Sequence, residues 1–124
     1  MKNSKYYLSL ILSFIALSAS AEADENSKFL TFLEDEWQYE LRQSPVYATA
    51  MGVKGYETLW RDNSLEAIEA RRSHNKDTVE ALKGFKKENL SKANQLNLRL
   101  FTDLAKKEVE IDQFNRHLLP FNHR

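Results

Sequence analysis

Cysteine is absent from this 124-residue chain, and glycine (3 residues) and proline (2 residues) are scarce. Without a thiol there is no disulfide framework, no thiolate zinc site, no cysteine nucleophile and no lipoprotein-type acylation. So little glycine and proline argues against collagen-like repeats, disordered low-complexity sequence and loop-rich all-β folds. An excess of one charge sign is missing as well, since 18 basic side chains stand against 18 acidic ones. The broad basic footprint that neutralises nucleic-acid phosphates is therefore absent, and no nucleic-acid partner is expected. A long apolar run is also lacking. The longest mostly apolar stretch, Tyr6 to Leu17, is twelve residues, which as a helix spans about 18 Å against a hydrocarbon core of about 30 Å. No stable membrane anchor is expected. There is no Gly-x-Ser-x-Gly elbow and no glycine-rich phosphate loop.

What is present begins with an export signal. Lys2 and Lys5 form a positive start, Tyr6–Leu17 is the apolar centre, and Ser18-Ala19-Ser20-Ala21 supplies small residues at an A-x-A-like cleavage site. Residues 1–21 are thus read as a signal peptide cleaved after Ala21, with a periplasmic or extracellular destination. The mature part, residues 22–124, has 103 residues with 16 basic and 18 acidic side chains. That is enough for one modest core.

The mature sequence carries helical punctuation and no alternating strand pattern. Phe29, Leu30, Leu33, Trp37 and Leu41 recur at helical spacing over Ser27–Gln43, with Phe32 beside them and Asn26 or Ser27 as candidate cap. Ser44-Pro45 ends that helix and can start a short one, Val46 to Met51, closed by a left-handed Gly52. Val53–Asn63 is a loop holding Tyr56, Leu59 and Trp60. Ser64 caps a third helix to about Lys83 with a thin stripe of Ile68, Val79 and Leu82, led in by Leu65; Arg72 and Asn75 occupy the seam, and Gly84 stands at the C-cap. Ser91 opens a fourth helix to about Arg116, ahead of Pro120. That helix has two apolar rows, Leu96/Leu100/Leu104/Ile111 and Leu98/Phe101/Ala105/Val109, an arc wide enough to want partners on more than one side. The fold class is all-α, an irregular bundle of about four helices.

Candidate chemistry is sparse. His74 lies mid-helix among Arg71, Arg72, Asn75 and Lys76, a setting that predicts a solvated side chain. His117 and His123 are six apart, whereas zinc-binding helices place histidines at i, i+4, and Pro120 interrupts the segment. A two-histidine metal site stays open there. Glu34, Asp35 and Glu36 are consecutive and so point in different directions, which predicts a solvated face. Arg71-Arg72 and Lys86-Lys87 are isolated pairs. Trp37, Tyr39, Tyr47, Tyr56 and Trp60 can line a groove, although aromatics beside an apolar stripe more often belong to a core. No catalytic, cofactor-binding or metal-ligating residue is assigned.

One ordered pattern does stand out. Trp37-x3-Leu41-x2-Ser44-Pro45-x2-Ala48-Thr49-x2-Gly52, then Tyr56, Leu59, Asp62 and Ser64, precede Ile68–Arg72, Leu90-Ser91 and the string His117 to Asn122. Over residues 28–124 this resembles the opening of the bacterial family catalogued as domain of unknown function 885. The resemblance implies a predominantly helical, zinc carboxypeptidase-like protein, often with a signal peptide, whose metal motif, His-Glu-x-x-Pro-Gly-His, lies in its C-terminal half. No part of that motif occurs here. The expectation is therefore an N-terminal helical portion of a larger domain, truncated at 124, giving scaffold or cleft wall to a secreted metallo-hydrolase-like protein. On this reading its partner is the remainder of its own domain, the full protein takes zinc and a peptide substrate, and the segment itself holds no cofactor. Trp37, Tyr47, Tyr56 and Trp60 are the expected cleft residues. The alternative is a complete small periplasmic binding or adaptor protein without enzymatic activity.

Overall fold

The computed structural model describes the backbone of residues 4–115 and 118 and the side chains of residues 24–115 and 118. It contains four α-helices, α1 (Ser4–Gln43), α2 (Pro45–Ala50), α3 (Leu65–Leu82) and α4 (Lys92–Asp112), with one 3₁₀ turn at Lys87–Asn89. No strand occurs among the described residues. The expected all-α class is observed. The apolar centre and cleavage site of the export reading, together with His117, Pro120 and His123, lie outside the residues whose side chains are described.

Local chemistry accounts for most helix ends. Ser64 accepts a hydrogen bond from the Ala67 N–H (3.2 Å) and Ser91 from the Asn94 N–H (3.3 Å), each capping a free donor of the first turn. Pro45 sits at the first position of α2, where its missing N–H costs nothing. Gly52, at φ +78°, closes α2 with two bonds: its own N–H to the Thr49 carbonyl and the Val53 N–H to the Ala48 carbonyl. That is the Schellman arrangement.

Four expectations need correction. The first helix does not start at a cap on Asn26 or Ser27; its backbone runs from Ser4, and no glycine or proline precedes Pro45 to interrupt it. Ser44 stands at the N-cap of α2 without capping it, because its hydroxyl donates to Glu40 Oε1 at 2.8 Å. Gly84 is not left-handed; α3 ends on Lys83 in right-handed geometry, and a Cβ at Gly84 would meet the Ala81 carbonyl oxygen at 3.2 Å. α4 ends at Asp112 rather than Arg116. There Asn115 takes φ +47°, which asparagine tolerates, and the Arg72 guanidinium donates to its side-chain oxygen at 2.8 Å.

The core is small. Phe29, Leu82, Leu90 and Leu98 are buried together, with Phe32, Leu33, Phe85, Phe101 and Ala105 packed around them. Phe29 and Phe85 meet edge to face with ring centroids 5.2 Å apart, a favoured aromatic geometry. Leu41 of α1 and Pro45 and Ala48 of α2 are also buried, where α2 contacts α1. Polar bonds fix the connection between α3 and α4 to α1. Glu25 Oε1 accepts from the Lys86 N–H (2.9 Å), and Asn26 Oδ1 accepts from the Ser91 N–H (3.0 Å) and Asn94 Nδ2 (2.7 Å). Of the two apolar rows of α4, Leu98/Phe101/Ala105/Val109 turns inward, and of the other row only Ile111 is half-buried. Leu96, Leu100 and Leu104 remain 47%, 50% and 61% exposed.

Candidate functional site

The polar seam of α3 proves more occupied than its sequence suggests. Arg71, Arg72, His74, Asn75 and Thr78 fall at helical spacing on the face that ends in Leu82. Each reaches a neighbouring segment. Arg71 donates to the Asp62 carbonyl at 2.8 Å, and Asn75 donates to Asp112 Oδ2 of α4 at 2.8 Å. Thr78, buried, donates to Glu36 Oε2 of α1 at 3.2 Å.

His74 is the centre of this seam and is not the solvated side chain expected. Its ring lies flat on Tyr39, with centroids 3.5 Å apart and planes 16° from parallel. Its Nε2 is 3.0 Å from Glu36 Oε2. A carboxylate only accepts, so Nε2 carries the hydrogen. Glu36 likewise departs from the solvated acidic face predicted for Glu34–Glu36, since its side chain is only 17% exposed. Neither residue's partner is visible from its local neighbours, because the two stand 38 positions apart.

Beside His74 runs an open groove of about 600 Å³ between the C-terminal part of α1, the 53–63 loop and α3. Tyr39, Arg42, Trp60, Asp62, His74 and Asp77 give it aromatic faces and charges of both signs. Its floor on α3 is made of small residues, Ala67, Ala70 and Ser73. Burial pushes the Tyr39 phenol above the usual tyrosine range, partly offset by Arg71. Arg71 is itself pushed down, by burial first and then by Arg61. The Ser64 N–H on its carboxylate holds Asp62 below the usual aspartate range.

Of the four expected cleft residues, only Trp60 lines the groove, and it is 84% exposed. Trp37 instead packs edge-on against Tyr47 at 6.2 Å, joining α1 to α2, and Tyr56 is half-buried in the loop. Tyr39 was among the aromatics that could line a groove, whereas His74 and Arg42 were not expected there; the legible clue was the polar seam running in line with Leu82.

No group of three or more His, Asp or Glu side chains able to hold a metal exists among the described residues, and the Nε2 of His74 is engaged by Glu36. The arrangement can hold a polar ligand against an aromatic face, with Arg42 and the two aspartates as hydrogen-bonding partners. No helix among the described residues is long and apolar enough to cross a membrane. No protein-family model, curated protein or solved structure matches the chain.

Proposed function

We propose that this chain supplies scaffold and one wall of a substrate cleft to a secreted, helical, metallo-hydrolase-like protein, and performs no chemistry itself. The observation that carries the reading is the groove. It is open and one-sided, its aromatic and charged side chains face a ligand-sized space, and its histidine is tied to Glu36 of α1. The seam residues hold helices in place, leaving Trp60 and Arg42 at the rim to touch a ligand. The ordered resemblance over residues 28–124 supports the same reading and implies a peptide substrate, zinc bound by the remainder of the domain, and export to the periplasm or beyond.

The test is titration of the protein with mixed short peptides, followed residue by residue by amide NMR. Shifts are expected at Tyr39, Trp60, Ala70 and His74, with no peptide hydrolysis with or without added zinc. Hydrolysis that disappears in His74→Ala, or peptides that shift no groove residue, would overturn the reading. A second reading, a small exported adaptor without enzymatic activity, is favoured by the uncovered leucine row of α4.

A further inference from the structure

The outward face of α4 combines two features that the core formed by the described residues does not use. The first is Leu96, Leu100 and Leu104, all about half exposed or more and one helical turn apart. At 100° per residue they point about 140° away from the buried Asn94/Leu98/Phe101/Ala105/Val109 row. The helix therefore has two separate apolar faces, and the core uses one.

The second feature is the charge pattern along one flank of that row. Lys92 and Arg99 lie in the N-terminal half, Asp103 and Glu110 in the C-terminal half, and all four are exposed. None of the four makes a salt bridge among the described residues. Their order opposes the helix dipole, which favours acids near the N-terminus and bases near the C-terminus. Arg99 preceding Asp103 by four residues is also the poorer orientation for pairing within one helix. Within α4 itself Asp103 precedes Lys107 by four residues in the better orientation and Lys106 shares the flank, but among the described residues neither lysine closes to a salt bridge with Asp103.

We propose that the Leu96/Leu100/Leu104 face of α4 binds a second copy of this chain, with the two α4 helices antiparallel and crossing near residue 101. In that register Arg99 meets Asp103 of the other copy, and Lys92 meets its Glu110. Both pairs are symmetric about residue 101, so a single two-fold axis satisfies them together, as an isologous dimer requires. Leu100 then packs beside the axis, with Leu96 of one copy against Leu104 of the other. The N-terminus of each α4 lies next to the C-terminus of its mate, which turns the unfavourable dipole placement into a favourable one. A parallel pair would instead put the two charged flanks on opposite sides of the seam, where neither of these pairs can form. The groove lined by Tyr39, Trp60 and His74 contains no α4 residue, so dimerisation leaves it open.

The test is sedimentation equilibrium of the protein as the cell produces it, with charge-swap variants. The wild type is expected to show a concentration-dependent dimer. Arg99→Glu and Asp103→Lys should each weaken association by roughly tenfold, because each converts two attractive contacts into repulsive ones. The double variant Arg99→Glu/Asp103→Lys should restore association to within about threefold of wild type, since it rebuilds both pairs with reversed sign. Circular dichroism on each variant separates lost pairing from lost fold. The chain has no cysteine, so Leu100→Cys should also oxidise to a disulfide-linked dimer, whereas Ala93→Cys, remote from the axis, should not. A monomer at all concentrations would overturn the proposal. So would a double variant no better than the singles, Ala93→Cys linking as readily as Leu100→Cys, or solvent protection of the three leucines in a monomer.

Discussion

Replacing Gly52 isolates a backbone effect from any effect of packing. Its φ is +78°, and a Cβ built there meets nothing within 4 Å. A larger side chain therefore has room, and the whole cost comes from holding an L-residue in the left-handed region. For alanine that cost is about 1 kcal/mol, and for valine, with its branched Cβ, about 2 kcal/mol. If the chain instead escapes to negative φ, it gives up the Gly52 and Val53 N–H bonds to the Thr49 and Ala48 carbonyls. At about 1 kcal/mol net for each bond, that route saves nothing. Asparagine tolerates the left-handed region and should recover about half the loss. Urea denaturation followed by circular dichroism measures the total. Near-ultraviolet signals from Trp37 against Tyr47 report whether α2 stays docked on α1. Equal midpoints for Gly52→Val and wild type, or an asparagine variant as unstable as valine, would refute the reasoning.

Other predictions concern the core and the seam. Phe29, fully buried against Phe85, should cost about 3–5 kcal/mol on replacement by alanine, and a urea-derived loss under 1 kcal/mol would be incompatible with the core described. Glu36→Ala leaves His74 and Thr78 without their acceptor and should cost about 1–3 kcal/mol; a Glu36/His74 double-mutant cycle should give a coupling of at least about 0.5 kcal/mol, and zero coupling would dismiss the pair. The raised Tyr39 pKa means that folding favours the neutral phenol. Its contribution is complete below the unfolded tyrosine value and is lost as pH rises through the higher folded value, so Tyr39→Phe should lose less stability in alkali than wild type.

Features governed by neighbours in sequence were legible, and features governed by distant neighbours were not. Ser64 and Ser91 cap helices and Gly52 turns left-handed because each answers to backbone groups within a few residues. Asn26 shows the converse. It has the chemistry of a cap and is used as one partner of the α4 entry, 65 positions on, while its own backbone stays inside α1. The fourth helix had two apolar rows of similar strength, and nothing local distinguished the buried row from the exposed one. His74 and Glu36 were misplaced for a related reason, since a polar residue on a seam looks solvated until the facing helix supplies its acceptor. Gly84 was given a cap's role, but its requirement is the close Ala81 carbonyl rather than a positive φ.

The thin stripe of α3 also explains why a groove exists at all. Toward its C-terminus α3 buries Thr78 and Leu82 among the other helices. Toward its N-terminus it presents Ala67, Ala70 and Ser73, too small to fill the space beneath Tyr39 and Trp60. If that gap is a ligand site, filling it should abolish binding while sparing the fold. Ala70→Leu is the appropriate change, because Ala70 is exposed and leucine is an equally good helix former to within a few tenths of a kcal/mol. Its urea midpoint should correspond to a stability within about 0.5 kcal/mol of wild type, while peptide-dependent NMR shifts at Tyr39 and Trp60 should vanish. A gap that is only imperfect packing behaves differently. Leucine would then bury new apolar surface and raise stability by about 1 kcal/mol or more, and any peptide shifts would persist. The two outcomes differ in both observables, so one variant decides whether the groove is a site or a defect.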